Sequence, residues 1–365
     1  MKNIAIYGGA FDPIHNGHIA IIHELKNNKE MDEVWIMPTR VSRWKNDAAP
    51  SSLRLKCINK VIEGLDNVYL RTDEIESPKE VIYTIDTIKE LHQMYHDVNF
   101  YFVIGFDQLA KLDKWKNIEE LAKLVNFLVV GRPNNLFHQE NFIKYNCRLL
   151  NFEGPDISSS KFKETLDLSL LPASIHTLLW EEPYYYELKL KKLMSEKRFL
   201  HSKSVMELAK KIALANNLEL GVSLVASLLH DCAKEASREE EEEIMNKYFK
   251  KYLDAPQVIK HQFTGSILVE RLFGIRDNRV KQAILYHTTG YKEMSWLDKL
   301  VYVCDKLDPL RGYDSSYMIN ECLKNLDEGF IVVLKENIKY LGKKSAFNDY
   351  YLTLEAIKYY LKGED

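Results

Sequence analysis

His15 and His18 stand three residues apart at the end of the run Gly8-Gly9-Ala10-Phe11-Asp12-Pro13-Ile14-His15-Asn16-Gly17-His18, where an apolar strand-like segment gives way to a helical one. Imidazoles at that spacing share one side of a helix start and can donate hydrogen bonds to a polyphosphate as charge builds on it during transfer. The glycines of a tight strand-to-helix turn leave backbone N–H groups open to the same anion. An isolated pair of this kind more often caps its helix and packs inward. The preceding strand and the glycines tip the balance toward phosphate chemistry, with His15 and His18 as the catalytic pair. Farther on, Ile157-Ser158-Ser159-Ser160 precedes a helical stretch containing Lys163. Hydroxyls, helix-start N–H groups and a cation can converge there on departing phosphates, although a serine run alone is usually just an N-cap.

A second set of chemistry-bearing residues lies in the other half of the chain: His201, the dyad His230-Asp231, His261, His287 and Asp305. Imidazole nitrogens and carboxylates gathered from several helices suit a divalent metal. Any one of these histidines, taken singly, reads as a packed or capping residue. The dyad differs, because Asp231 closes the apolar run Leu224 to Leu229. Burying that carboxylate is costly unless a cation or hydrogen bonds compensate, so Asp231 is also a catalytic candidate.

Two different frameworks must position these sets. The first half alternates short apolar runs with amphipathic stretches, the pattern of a parallel sheet with helical crossovers. Strands are expected at Ile4 to Tyr7, Glu33 to Met37, Val68 to Arg71, Asn99 to Ile104, Asn126 to Val130 and Arg148 to Phe152, with helices such as Ile19 to Asn27 and Val81 to His92 between them. This is an α/β, Rossmann-like, doubly wound parallel sheet. Beyond about Leu170 apolar residues recur at helical spacing, as in Val205, Leu208, Ala209, Ile212 and Ala213, and an all-α helical bundle is expected. The expected domains are residues 1–186 and 187–365. The acidic run Glu239 to Glu243 reads as a solvated helix start, since carboxylates suit the positive end of the helix dipole.

A chain of 365 residues exceeds most single cores, in line with two domains. Hydrophobic residues at 46% and charged residues at 28% are those of an ordinary globular protein. The formal net charge of -3 argues against nucleic acid or anionic membrane as partner. The N-terminus lacks the tripartite pattern of a signal peptide, and no stretch is long enough to span a bilayer. Five scattered cysteines read as reduced thiols, and a cytoplasmic location is expected.

The first half closely resembles the bacterial nicotinate-nucleotide adenylyltransferases, within the nucleotidyltransferases marked by an H-x-G-H motif. Besides the two motifs above, the likeness includes Tyr83-Thr84-Ile85-Asp86-Thr87, Ile104-Gly105-Phe106-Asp107-Gln108-Leu109, Trp115 and Gly131-Arg132-Pro133. It implies transfer of AMP from ATP to nicotinate mononucleotide, with magnesium accompanying ATP and pyrophosphate leaving. By that resemblance Gly8, Gly9, His15, His18, Gly105, Arg132, Ser158, Ser159, Ser160 and Lys163 surround ATP. Lys45, Thr84, Asp107 and Trp115 would face the mononucleotide, with Trp115 stacking on the pyridine ring. Two departures bear on substrate preference and rate. Val41-Ser42-Arg43-Trp44-Lys45 stands where that family usually has Pro-Pro-His-Lys, and Lys163 replaces its usual arginine, keeping charge but losing bidentate geometry.

The second half is similar to the bacterial HD-type symmetrical diadenosine tetraphosphate hydrolases. The likeness rests on His201-Ser202, Leu229-His230-Asp231-Cys232-Ala233-Lys234, His261 with Gly265, Tyr286-His287-Thr288-Thr289-Gly290, and the run Val301 to Pro309. It implies a two-metal centre at His201, His230, Asp231, His261, His287 and Asp305, holding iron, with manganese or cobalt suiting the same donors. Such a centre activates water for attack on phosphorus, and cleavage in the middle of diadenosine tetraphosphate would release two ADP. Lys234 and Arg311 would hold substrate phosphates. Two alternatives stay open. The HD half could act on another nucleotide phosphoester, against which the His287 to Gly290 string weighs, or one half could be a regulatory module that binds nucleotide without turnover.

Overall fold

The apolar runs of the first half are, in the central strands, buried on both faces, as strands of a helix-covered parallel sheet must be. In the computed structural model, which describes residues 1–40, 48–131, 137–343 and 351–361, they form β1 (Lys2–Gly9), β2 (Glu33–Pro38), β3 (Val68–Leu70), β4 (Val98–Gly105), β5 (Asn126–Gly131) and β6 (Arg148–Glu153). Each lies where the sequence pattern put it, within a residue or two at either end. The six strands pair in the order β3-β2-β1-β4-β5-β6, all parallel. β1 is central, with Tyr7 opposite Ile36 of β2 and Val103 of β4. The order reverses between β1 and β4, and the crossovers diverge there, opening a crevice beyond the carboxyl ends of those two strands.

One side of the sheet packs Ile4, Ile6, Phe100, Phe102, Ile104 and Phe127 against Ile85, Ile88 and Leu91 of the helix Thr84–Met94. The helix Asn16–Asn27 buries Ile21, Ile22 and Leu25 and begins directly after the turn that follows β1. It starts three residues ahead of the sequence expectation, because His15 caps it.

The chain divides into two compact units, Met1–Glu164 with Leu168–His176, and Thr165–Asp167 with Thr177–Asp365. The helix Tyr184–Leu193 belongs to the second unit. Its Tyr185, Tyr186 and Leu190 are buried, and the Trp180 indole donates to the Tyr186 hydroxyl at 3.1 Å.

The second unit is helical among the described residues. The helix Glu196–Ala215 packs against Leu220–Leu229 and Trp296–Leu307, and Asn278–Tyr286 packs against Gln257–Phe273 and Trp296–Leu307. Leu220–Leu229 is apolar save for Ser223 and Ser227 and wholly buried apart from its first residue, as the centre of a bundle must be. The acidic run lies in Arg238–Tyr248, with Ser237 accepting from the Glu240 N–H as N-cap. All five cysteines are buried and free of disulfides. Among the described residues no helix is long and apolar enough to cross a membrane.

Candidate active sites

The crevice at the carboxyl ends of β1 and β4 holds a cavity of about 370 Å³. Gly8, Gly9, His18, Thr84, Gly105, Asp107 and Trp115, all singled out in the sequence, line it. A Cβ at Gly8 would press on the Phe102 ring at 3.2 Å, and one at Gly9 on the Phe11 ring at 3.3 Å, so the floor stays bare backbone. Trp115 stands edge-on to Phe102, with ring centres 5.9 Å apart. Phe11 is a core aromatic, 1% exposed.

His15 and His18 form a reciprocal cap. The His18 N–H donates to His15 Nδ1 at 3.3 Å, the His15 N–H donates to His18 Nδ1 at 3.2 Å, and the rings stack with centres 3.6 Å apart. Capping, which stood in the sequence as a rival to phosphate chemistry, leaves the second nitrogen of each ring unused by the cap. With Nδ1 accepting from backbone, each neutral ring carries its proton on Nε2, which becomes a fixed donor.

The serine segment meets the same turn. Ser159 Oγ donates to the Pro13 carbonyl at 3.1 Å, and Lys163 forms an ion pair with the buried Asp12. Ser158 Oγ accepts from the Lys161 N–H at 3.1 Å, an N-cap contact. His15, Ser158, Ser159, Ser160 and Lys163 flank the cavity residues through this turn and are not part of its lining. Lys45 and Arg132 lie outside the described residues.

Two residues of this site escaped the sequence reading. Arg54, 1% exposed, donates to the carbonyls of Ala10 at 2.7 Å, Thr39 at 3.0 Å and Ala49 at 3.3 Å, clamping the turn after β1 to the end of β2. Its signal was present: Arg54 occupies the buried stripe with Cys57 and Ile58, where an apolar residue belongs. Glu74 lines the cavity and accepts from the Thr87 hydroxyl at 3.4 Å. Burial pushes its carboxyl up to about 7, the Thr87 hydrogen bond opposes that, and Asp73 adds to it. No local pattern marked it.

In the second unit the candidate residues come from five separate places along the chain and converge. His201 sits on Glu196–Ala215, His230 and Asp231 follow Leu220–Leu229, His261 sits on Gln257–Phe273, His287 ends Asn278–Tyr286, and Asp305 sits on Trp296–Leu307. His201 Nε2 is 3.3 Å from His230 Nε2 and 3.4 Å from Asp305 Oδ1. His261 Nε2 is 3.2 Å from His287 Nε2, and Asp231 Oδ1 lies 3.1 Å from the former and 3.3 Å from the latter. Two groups of potential ligands result, His201-His230-Asp231 and Asp231-His261-His287, with Asp231 shared.

These residues fit a pair of divalent metals. Asp231 Oδ1 is buried and meets no donor in hydrogen-bond geometry, although two imidazoles crowd it. Three rings are turned by partners behind them. His230 Nδ1 lies 2.7 Å from the Ser227 carbonyl, His287 Nδ1 lies 2.7 Å from the Ile284 carbonyl, and His201 Nδ1 lies 2.6 Å from Asp308. Each contact aims Nε2 at the cluster, as outer partners of metal-binding imidazoles do. Asp308 had been only part of a motif. Its carboxylate now fixes the one ring of the three that is partly exposed.

Charge follows the same logic. Burial pushes His230 down to about 4 and lowers His261 and His287, keeping those rings in the neutral form a metal requires. Burial works to raise Asp231 and Asp305. His230 with the facing rings outweighs it at Asp231, and Lys306, His201 and Arg311 outweigh it at Asp305, so both stay ionised. At His201 burial is overridden by Asp305 and Asp308, which lift it to about 9. A bound cation would displace that proton. Lys234 Nζ stands 2.9 Å from His261 Nε2, and Arg311 binds the Asp305 carbonyl at 2.7 Å, so both expected phosphate cations border the cluster. Lys306, not foreseen, reaches Asp305 at 3.0 Å.

Comparison with known proteins finds two families along the chain. Residues 6–165 match the cytidylyltransferase-like family and residues 198–310 match the HD domain. A Mycoplasma genitalium protein named "Probable nicotinate-nucleotide adenylyltransferase/Ap4A hydrolase" is 28% identical over 342 residues, covering 92% of this chain and 97% of that protein. Proteins named "Probable nicotinate-nucleotide adenylyltransferase" are similar to the first half alone. That of Clostridium perfringens is 38% identical over 184 residues, covering 47% of this chain and 89% of its own length. That of Sulfurimonas denitrificans is 39% identical over 173 residues, covering 47% and 90%.

Proposed function

From a chain that belongs to the nicotinate-nucleotide adenylyltransferase family along its first half and continues into an HD domain, we propose a bifunctional nucleotide enzyme. The first unit transfers AMP from ATP to nicotinate mononucleotide. The second hydrolyses diadenosine tetraphosphate to two ADP.

The first reaction rests on the reciprocal His15–His18 cap at the mouth of the β1–β4 crevice. The mononucleotide phosphate attacks the α-phosphorus of ATP in line, the bond to the bridging oxygen breaks, and pyrophosphate leaves with the electron pair. The Nε2 donors of His15 and His18 and the N-terminus of the Asn16–Asn27 helix stabilise charge gathering on the phosphates. Gly8 and Gly9 let the nucleotide lie against backbone, with Gly105 at the end of β4 beside it. Thr84, Asp107 and Trp115 enclose the mononucleotide, so both reactants are held for attack without a covalent step. Ser158 to Ser160 and Lys163 receive the leaving pyrophosphate, and magnesium accompanies ATP.

The second reaction rests on Asp231, shared between two ligand groups. His201, His230, Asp231 and Asp305 would hold one metal, and Asp231, His261 and His287 the other. When bound, the pair supplies Lewis acidity and an activated water. Asp308 orients His201, and Lys234, Lys306 and Arg311 neutralise substrate phosphates at the edges of the cluster. The name of the M. genitalium relative and the His287-Thr288-Thr289-Gly290 string support diadenosine tetraphosphate as substrate.

The purified chain is to be incubated with ATP plus nicotinate or nicotinamide mononucleotide, and separately with diadenosine tetraphosphate, with and without chelator. Expected products are nicotinate adenine dinucleotide with pyrophosphate, and ADP alone. Synthesis from neither mononucleotide sinks the first assignment. Failure of the metal-loaded chain to release ADP, or release that survives complete metal removal, sinks the second.

A further inference from the structure

A cavity of about 620 Å³ opens beside the metal cluster, with His261 and Lys234 in its wall. Its size is that of a site for a nucleotide-sized ligand. Lys234 links the two regions, with Nζ 2.9 Å from His261 Nε2 and 3.5 Å from Asp231 Oδ1. From there the wall continues through Lys260, Arg198 and Arg238, contributed by three different helices.

The balance of charge favours an anion. The lining sets Arg198, Lys234, Arg238 and Lys260 against Glu241 and Glu242; Glu242 pairs with Arg238 at 2.8 Å and Glu241 accepts from the Gln257 amide at 2.9 Å, so the positive surplus lies with Lys234, Lys260 and the Arg198 guanidinium that Glu235 shares. Lys260 is partly buried and has no carboxylate partner among the described residues. Arg198 is held in place by Glu235 at 2.9 Å, and Glu235 is itself fixed by the Ser195 N–H at 2.9 Å and hydroxyl at 2.6 Å. Across the cluster, on the Asp305 side, Lys306 and Arg311 form a second cationic group. A phosphate chain lying over the metals therefore finds cations at both ends, and on the His261 side it finds a cavity as well.

Resting on the reading of the second unit as a dinucleoside polyphosphate hydrolase, we infer that the cavity walled by Arg198, Lys234 and Lys260 binds one of the two nucleoside diphosphate arms of the substrate. Hydrolysis between the central phosphates then leaves that arm seated as ADP, which must depart before the next turnover. Arg198 and Lys260 make this contact equally in ground and transition states. Their loss raises KM and leaves kcat in place.

The test uses the full-length, metal-loaded chain and diadenosine tetraphosphate. The double variant Arg198→Ala/Lys260→Ala is expected to raise KM at least tenfold, with kcat within threefold of the parent and metal content unchanged. Inhibition by ADP should weaken in parallel. The charge-keeping pair Arg198→Lys/Lys260→Arg should recover most of the affinity, which a structural role of the side-chain stems would not require. An unchanged KM overturns the assignment of the cavity, as does a fall in kcat accompanied by metal loss. A parent chain inert toward diadenosine tetraphosphate overturns the substrate reading itself, and the cavity assignment with it. A parent that is active alongside unchanged variants overturns the cavity alone.

Discussion

Replacing Glu74 by Gln should stabilise the first unit at alkaline pH and leave it almost unchanged in acid. Glu74 is 8% exposed in the β1–β4 crevice, and burial lifts its carboxyl from an ordinary 4.5 to about 7. The folded protein thus holds this proton more tightly than the unfolded chain. The associated stability is full below the unfolded value, drains away as pH rises through the interval from 4.5 to 7, and is gone above it. At about 1.4 kcal/mol per pH unit the interval amounts to about 3 kcal/mol. Gln keeps the shape and the acceptor for the Thr87 hydroxyl but never ionises, so Glu74→Gln escapes that loss. The assay is urea unfolding of parent and variant near pH 4.5 and near pH 8, followed by hydrogen exchange of peptides from β4. Exchange at β4 isolates the first unit, because two units need not unfold in one step. The variant should gain about 3 kcal/mol over the parent at the higher pH and little at the lower. An equal difference at both values would refute the reasoning, since then the Glu74 proton is not what separates the two proteins.

Three further outcomes are expected. His18→Ala should lower kcat for dinucleotide synthesis by about 10²- to 10³-fold through loss of one fixed donor, measured by pyrophosphate release, while diadenosine tetraphosphate cleavage persists. Asp231→Asn should remove bound metal, read by elemental analysis, and abolish ADP release without affecting adenylyl transfer. Gly329→Ala should destabilise the second unit by about 1–3 kcal/mol, because its Cβ would come within 2.5 Å of the Cys322 backbone where two helices cross; calorimetry should show a lowered transition.

Residue types and spacing determined both architectures and singled out the residues able to carry chemistry in each. The apolar runs fixed six strands and a helical second half, since burial on both faces of the central strands leaves a continuous hydrophobic run and a helix leaves a 3.6-residue period. The glycine-rich turn with His15 and His18 was legible for a local reason: its geometry is complete within a dozen consecutive residues. What lies far apart in the chain was settled only by folding. The sharing of Asp231 between two imidazole groups, the aim of His201 set by Asp308, the clamp of Arg54 on three carbonyls and the buried Glu74 each depend on partners from other elements. Position along the chain sets only which residues are available. Distance, burial and the field of neighbouring charges, which decide what each residue does, exist only once the helices and strands have packed.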